Sequence, residues 1–580
     1  MPEERNIPIS AQHREFTVKV NDREVERSEQ LLGVYIQKSA NRISSAKLIY
    51  LDGAASSSDF PLSNSPDFIP GCTIEVLAGS GHDLVTLFKG IIISQSLKVR
   101  ETTAPQMIVE CRHKAIALTV GRKNAYYYDQ TDASIIETLF GNAGVDCSVE
   151  STTVNHSQLV QYYCTDWDFI VLRAEANGKI VFTNGERVEI KAAVLGSRPV
   201  CTLLFGSTIL EMDSEIESRS QYAGVKSVSW DAARQSIVEK DAADPQIAGA
   251  GNLSISDLSS TIDLDHLRLQ QTSIPDTESQ AWANAYRMKS QLSKTNGRLK
   301  CEGISTVNPG DMVTLSGVGE RFNGDVFVTG VRHDFDLVQG WKTHIQFGNT
   351  NTWFGEEHKI EASKAGSLVA GINGLQIGVV VSNEDPEGEY RVRVRMPLID
   401  NNQDGTWARV ATLDAGDSRG TFFRPEIGDE VVLGFMDDDP RYPVILGMLH
   451  SSAKAAPLEG SDDNHEKVYQ SRSEMKLYFN DDTKVIRLET PAGNKITLSE
   501  DDTSIKIEDQ NSNTIEMTSE GIKIHSSKAL ELKADTEIKI EAGTSLEISS
   551  SSSLKVEGSA GVEISSSGST TIRGSTLMLN

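Results

Sequence analysis

GIKIHSSK ALELKADT EIKIEAGT SLEISSSS SLKVEGSA GVEISSSG STTIRGST LMLN: residues 521–580, cut in eights, obey a single rule. The second and fourth positions are apolar: Ile522 and Ile524, Leu530 and Leu532, Ile538 and Ile540, Leu546 and Ile548, Leu554 and Val556, Val562 and Ile564. The seventh repeat has Thr570 in place of the first and keeps Ile572. Looser versions come before it: VIRLETPAGN, KITLSEDDTS, IKIEDQNSNT and IEMTSE, residues 485–520. A fixed period is read as architecture before it is read as composition.

Two apolar residues separated by one polar residue lie on the same face of a strand. Each octad therefore offers a narrow apolar stripe followed by a four-residue polar corner. One chain has little to bury that stripe against. Three chains wound together bury it, with each side of a triangular prism taking strands from all three, and their hydrogen bonds close between chains and remove sheet edges. The apolar pairs and Ile572 are thus expected to form the prism core. A disordered Ser-rich tail would account for the composition but not for apolar pairs held in register over six octads. A single-chain β-helix remains as a rival, although its coils usually need three faces and longer periods. The residue between the apolar pair alternates in sign: Lys523, Glu531, Lys539, Glu547, Lys555, Glu563. With neighbouring octads stacked along a face, a slip by one octad aligns like charges. At about 4.8 Å per octad, roughly 100 such residues make a rod about 60 Å long. It ends on an apolar tip, Leu577, Leu579 and Asn580, expected to contact a cap.

Upstream, QIGVVVSN, YRVRVRMP, WARVAT, DEVVLGFM and PVILGMLH are five short strands in residues 375–450, which predicts a small closed barrel of the OB type. In YRVRVRMP, Val392, Val394 and Met396 share one face and Arg391, Arg393 and Arg395 the other; the arginine face is assigned to pairing with a neighbouring subunit or to solvent. Residues 451–481 form a linker leading into the prism at 482–580, and 361–374 a connector. Residues 1–360 read as two β-barrel-like units with an α/β insertion at about 120–185. Within it, ASIIETLFGNAG and TDWDFIVLRAEANG are helices, the second capped by Thr165 or Asp166, and GKIVFTNGERVEI is a hairpin turning at Asn184-Gly185. The fold class is mainly β.

Composition narrows the function. A net charge of −26 argues against nucleic acid as partner. MPEERNIPISAQHREF has no apolar core for a Sec-type signal, and no run is long enough for a transmembrane helix. Cys72, Cys111, Cys147, Cys164, Cys201 and Cys301 include no CxxC pair and fit reduced cytoplasmic thiols. HExxH, Walker A and GxSxG motifs are absent. Gly79-Ser80-Gly81-His82 reads as a hairpin turn, and Asp437–Asp439 as a solvated loop before a Ca²⁺ site. His525 is solitary, so no catalytic, cofactor or metal residue is assigned, and the chain is expected not to be an enzyme.

The order of these parts resembles the VgrG family, the spikes of type VI secretion and related contractile injection systems, and is similar to phage tail hub and spike proteins. The likeness is carried by FIPGCTIEVLAG and LFKGIIIS (68–94), TDWDFIVLRAEANGKIVF (165–182), GVVVSNEDPEGEYRVRVRMP (378–397), and WARVAT with RPEIGDEVVLGF and DDPRYPVILGMLH (407–450) before the octads. The resemblance implies a homotrimer on a hexameric inner tube, with baseplate neighbours, a PAAR-like tip protein and effector cargo, and with transient contact with a target membrane. It implies cytoplasmic synthesis followed by ejection. With nothing after Asn580, an unarmed spike is expected. The alternatives are a phage-like hub with weak lytic activity and a trimeric surface adhesin.

Overall fold

The computed structural model describes residues 15–25, 30–80, 83–194, 196–245, 249–349 and 351–579. The expectations on the N-terminal leader, on Gly81 and His82, and on Asn580 lie outside the described residues. The chain divides into two compact units, residues 1–371 and 372–580, with the boundary inside the expected connector.

In the first unit thirteen strands form one sheet, and smaller sheets of two or three strands account for the rest. The strands of the large sheet line two cores. One contains Val34, Ile36, Leu48, Val76, Phe88 and Val109; the other contains Leu203, Leu299, Val313, Val328 and Ile345. The two expected barrel-like units are thus joined, because Gly324–Asp336 pairs with Leu31–Ser39 from Gly330↔Ser39 to Asp336↔Gly33. This 13-residue strand is long enough to serve both cores. Val328 and Val331 fill one, while Phe335 stacks on Phe16 at 4.6 Å between ring centroids, beside the other.

The insertion contains the expected helices, Asp132–Asn142 and Asp166–Ala176. Thr165 caps the second, its hydroxyl accepting from the Asp168 amide at 3.1 Å. The hairpin Lys179–Phe182/Val188–Ala192 is present, but its innermost pair is Phe182↔Glu189. The turn is therefore wider than an Asn-Gly two-residue turn. Asn184 is held elsewhere, donating to the Pro309 carbonyl at 2.8 Å.

A further helix, Asp276–Leu292, has no counterpart in the sequence reading. Its buried residues are Ser279, Ala283, Ala285, Arg287, Lys289, Ser290, Gln291 and Leu292, mostly small or polar, so they make no apolar period. It helps close a buried charge cluster. Asp132, fully buried, accepts from Arg173 Nε (2.6 Å), His156 Nε2 (3.0 Å) and Asn177 Nδ2 (2.8 Å), and Arg173 Nη2 also reaches Glu278 Oε1 on this helix at 2.9 Å. Burial alone would raise the Asp132 carboxyl, but the Arg173 hydrogen bond and charge, with His156 and Asn177, hold it below the usual carboxylate value.

In the second unit, Gln376–Ser382, Val392–Arg395, Thr406–Val410, Pro443–Met448 and Glu430–Phe435 close a five-stranded barrel as predicted. Val380, Val392, Val394, Ala408, Val431, Leu433 and Ile445 fill it, with Met396 at its edge. The arginine face already has partners within the chain. Arg391 Nε donates to Asp385 at 2.8 Å and Arg393 Nη1 lies 3.2 Å from Asp404; both guanidiniums lie over Trp407, with 5.8 and 5.7 Å to its centroid. The Arg391 hydrogen bond holds the Asp385 carboxyl far below its usual range. In the aspartate loop, Asp439 is bound by Arg441, whose Nη2 lies 2.6 Å from Oδ2. Among the described residues no three His, Cys, Asp or Glu side chains are grouped to hold a metal ion, and no helix is long and apolar enough to cross a membrane.

Candidate assembly surface

After the barrel, Glu466–Gln470, Lys476–Asn480, Val485–Glu489, Lys495–Ser499, Ser504–Glu508, Thr514–Thr518 and Gly521–His525 form a seven-stranded sheet in sequence order. Every neighbouring pair is antiparallel and belongs to this one chain. Over 482–525, where the sequence reading placed prism strands shared between chains, the chain pairs with itself. The spacing explains the difference. Strand starts at 485, 495, 504 and 514 leave four to five residues between strands, enough to reverse direction. The reversals use left-handed residues, Lys484, Gly493, Thr503 and Ser512 among them. Asp509 stabilises one of them by accepting from the Asn513 amide at 2.8 Å and from its side chain at 2.8 Å, which brings its carboxyl down to about 2.

The register turns the alternating pattern into columns. Leu477, Leu488, Ile496, Ile507, Ile515 and Ile524 lie opposite one another in succession, as do Phe479, Ile486, Leu498, Ile505, Met517 and Ile522. Both columns occupy one face of the sheet, since each strand contributes residues two apart. None of the described residues covers that face: from Ile486 to Ile524 the column residues with large exposure are 39–66% accessible. Single exposed apolar side chains are ordinary, but a contiguous double row marks an interaction surface. The opposite face presents Tyr478, Arg487, Thr497, Lys506, Glu516 and Lys523, with the Arg487 guanidinium 4.7 Å from the centre of the Tyr478 ring. At the barrel end, Phe423 leans on Tyr469 with centroids 4.7 Å apart.

The sheet stops at His525, and a polar corner turns the chain away. Ser527 N donates to Asn513 Oδ1 at 2.9 Å, Ser527 Oγ to the Asn511 carbonyl at 2.9 Å, and Ser526 Oγ to the Ala529 carbonyl at 2.9 Å. Among the described residues 529–579 no backbone amide bonds to a backbone carbonyl of the chain.

The prism core was expected to be buried between three chains, and in the single chain its residues are open to solvent. Ile522 and Ile524 end the two columns and are 66% and 55% exposed. Leu530, Leu532, Ile538, Ile540, Leu546 and Ile548 are exposed, not buried, and so are Leu554, Val556, Val562, Ile564 and Ile572, all between 53% and 76%. The physical reason is the narrowness of each stripe: two apolar residues per octad find no strand of the same chain set against them, so nothing takes their surface from water. At the expected tip, Leu577 and Leu579 are 57% and 85% exposed. The upstream column residues were missed as a site, although their alternation was visible.

The second unit is thus a small closed barrel followed by a repetitive β-sheet with an exposed apolar face. Residues 376–450 match the type VI secretion system/phage-baseplate injector OB domain. The chain belongs to the Alg8 N-terminal domain family, whose model matches residues 10–336, more than half of its length. It is similar to the type VI secretion spike protein VgrG1a of Pseudomonas aeruginosa, 26% identical over 191 residues, which is 30% of this chain and 29% of that protein. It is also similar to VgrG3 of Vibrio cholerae, 28% identical over 121 residues, 19% of this chain and 12% of that one. The matches thus span less than a third of either relative's length. Among solved structures, a tail protein from Neisseria meningitidis aligns over 59% of this chain and 99% of its own, with a TM-score of 0.43 and 15% identity.

Proposed function

We propose that the chain is a structural hub and spike of a contractile injection or type VI-like apparatus, working as a homotrimer without a catalytic step. In this role the N-terminal unit seats on a hexameric inner tube among baseplate components. The octads form a spike whose end takes a PAAR-like tip protein, with any effector carried as cargo, and the assembly is made in the cytoplasm and driven through a target membrane.

The observation that carries this reading is the double apolar column running into octads that have no pairing within the chain. A lone sheet with one bare apolar face, followed by some fifty residues of unpaired backbone, leaves its main source of stability unused. Burying an apolar side chain of this size is worth about 1.5–3 kcal/mol, so closing eleven octad residues and the columns between three copies supplies tens of kcal/mol against the entropy of ordering them. The relatives' spike role supports the same reading.

The test is absolute mass in solution by light scattering at micromolar concentration. A trimer, three times 63.3 kDa, that is lost when residues 466–580 are removed is the expected result. A monomeric full-length chain overturns the proposal.

A further inference from the structure

We propose that the alternating lysine and glutamate column on the outward face sets the axial register between copies, with each octad lying beside the next octad of a neighbouring copy. The inference rests on the association of copies proposed above and adds what decides how they align.

Within the chain, the column can be followed by direct contact of strands. Lys506 lies opposite Glu516, and Glu516 opposite Lys523. Neighbouring strands here place opposite charges side by side, an arrangement that stabilises a sheet where like charges would weaken it. Beyond the Ser526–Ser527 corner the same position continues as Glu531, Lys539, Glu547, Lys555 and Glu563. From Lys506 to Glu563 the sign alternates without exception, although the in-chain neighbours end at His525. A pattern that serves strand pairing in the first part persists where the pairing strand must come from elsewhere.

Other copies of this chain supply strands with the matching eight-residue period. Two copies aligned at the same level put Lys539 beside Lys539 and Glu547 beside Glu547. An offset of one octad puts Lys beside Glu at every step, and a further octad restores the clash, so the column distinguishes odd from even offsets. The apolar pairs cannot do this, because Ile, Leu and Val repeat at every octad. A second outward position strengthens the choice. Glu531 is followed two residues later by Lys533, and Lys539 by Glu541, so an offset of one octad sets a Glu–Lys row against a Lys–Glu row. Lys539 Nζ and Glu541 Oε1 are already 2.5 Å apart on their shared face, and Lys555 pairs in the same way with Glu557.

Cysteine cross-linking in the full chain reads the register directly. Residues facing each other on adjacent strands have Cβ atoms within disulfide reach, and all native cysteines lie at or before Cys301. Chains carrying Glu531→Cys and chains carrying Lys539→Cys are co-expressed, oxidised and run without reductant, beside each variant alone and the unaltered chain. Covalent dimers in the mixture, exceeding either variant alone by an order of magnitude, are the expected result. Equal cross-linking by Glu531→Cys alone, or none in the mixture while light scattering still finds the trimer, overturns the register and leaves the trimer standing. A monomeric mass in every sample defeats the trimer itself. A second variant covers the case in which cysteines disturb the spike. Exchanging every sign of the column from Lys506 to Glu563, together with those of the paired Glu508, Glu520, Lys533, Glu541 and Glu557, is expected to preserve thermal stability, whereas making the six column residues from Lys523 to Glu563 all lysine lowers the melting temperature at low salt and recovers it at high salt. Equal melting of both variants at low salt also overturns the register.

Discussion

Ile515 and Ile524 lie directly opposite each other on the last antiparallel pair of the chain, and no later octad residue among those described has such a neighbour. The pair marks where the chain stops satisfying itself.

Charge placed in the columns is expected to block association while leaving the barrel intact. Ile496→Asp with Leu498→Asp puts two like charges without a partner on the face that other copies would cover in the proposed trimer, which is expected to fall apart to monomers in light scattering. The same exchange at the outward Thr497→Asp is expected to leave the mass unchanged. Burial of an unpaired charge costs several kcal/mol per copy, enough to shift the equilibrium by orders of magnitude.

Lys38 is buried in the first unit, with Nζ 2.9 Å from Asn308 Oδ1, and burial pulls its ammonium down to about 8. The unfolded chain holds that proton up to its ordinary value of about 10.4. Between these values the unfolded state binds more protons, so stability of this unit is expected to rise with pH from about 8 to about 10.4, by about 3 kcal/mol for this group. Urea titrations over that range check the slope, and Lys38→Met is expected to remove it.

His333 gives the acid counterpart. Complete burial, aided by the Lys38 charge, lowers it to about 3, so it stays neutral in the fold while the unfolded imidazole takes a proton near its ordinary value of about 6.5. Its share of stability is full above that value and is lost as pH falls from about 6.5 towards 3. His333→Gln is expected to flatten this limb in denaturant titrations followed by tryptophan fluorescence.

Arg173 ties Asp132 to Glu278 across three helices. Arg173→Met leaves Asp132 buried without its main countercharge and is expected to cost about 3–5 kcal/mol in the first unit. Asp132→Asn together with Arg173→Met is expected to recover part of the loss, read as a double-mutant cycle in urea.

Gly405 has φ of +79°, and a Cβ there would sit 1.9 Å from the Val394 carbonyl oxygen. Gly405→Ala therefore forces the strands Val392–Arg395 and Thr406–Val410 apart and is expected to leave the barrel unfolded or more than about 3 kcal/mol less stable. Circular dichroism melting of the purified variant decides.

The barrel was legible because its strands are short apolar runs set apart by turns, with Val392 and Val394 alternating against Arg391 and Arg393. The apolar columns were legible as pattern and not as pairing, since a period near ten and a period of eight both show two apolar residues in every repeat. What separates them is loop length, and with it whether the chain can turn back at Gly493 or Thr503. The helix Asp276–Leu292 was hidden because its buried residues are mostly small or polar, Leu292 at its end apart. The Asp132 cluster was hidden for a different reason: Asp132, His156, Arg173 and Glu278 are scattered over 147 positions and only the fold collects them.

The corner at Ser526 and Ser527 also divides the chain in time. The meander before it is built from hairpins, contacts between near neighbours that form in microseconds and at any dilution. In the proposed trimer the octads after it wait for a collision between copies, so their ordering rate is expected to rise with concentration. Synthesis runs from the N-terminus, so the columns are in place before the last octad leaves the ribosome. Each new chain thus carries a finished template edge at His525 ahead of the segment that has to be ordered on it.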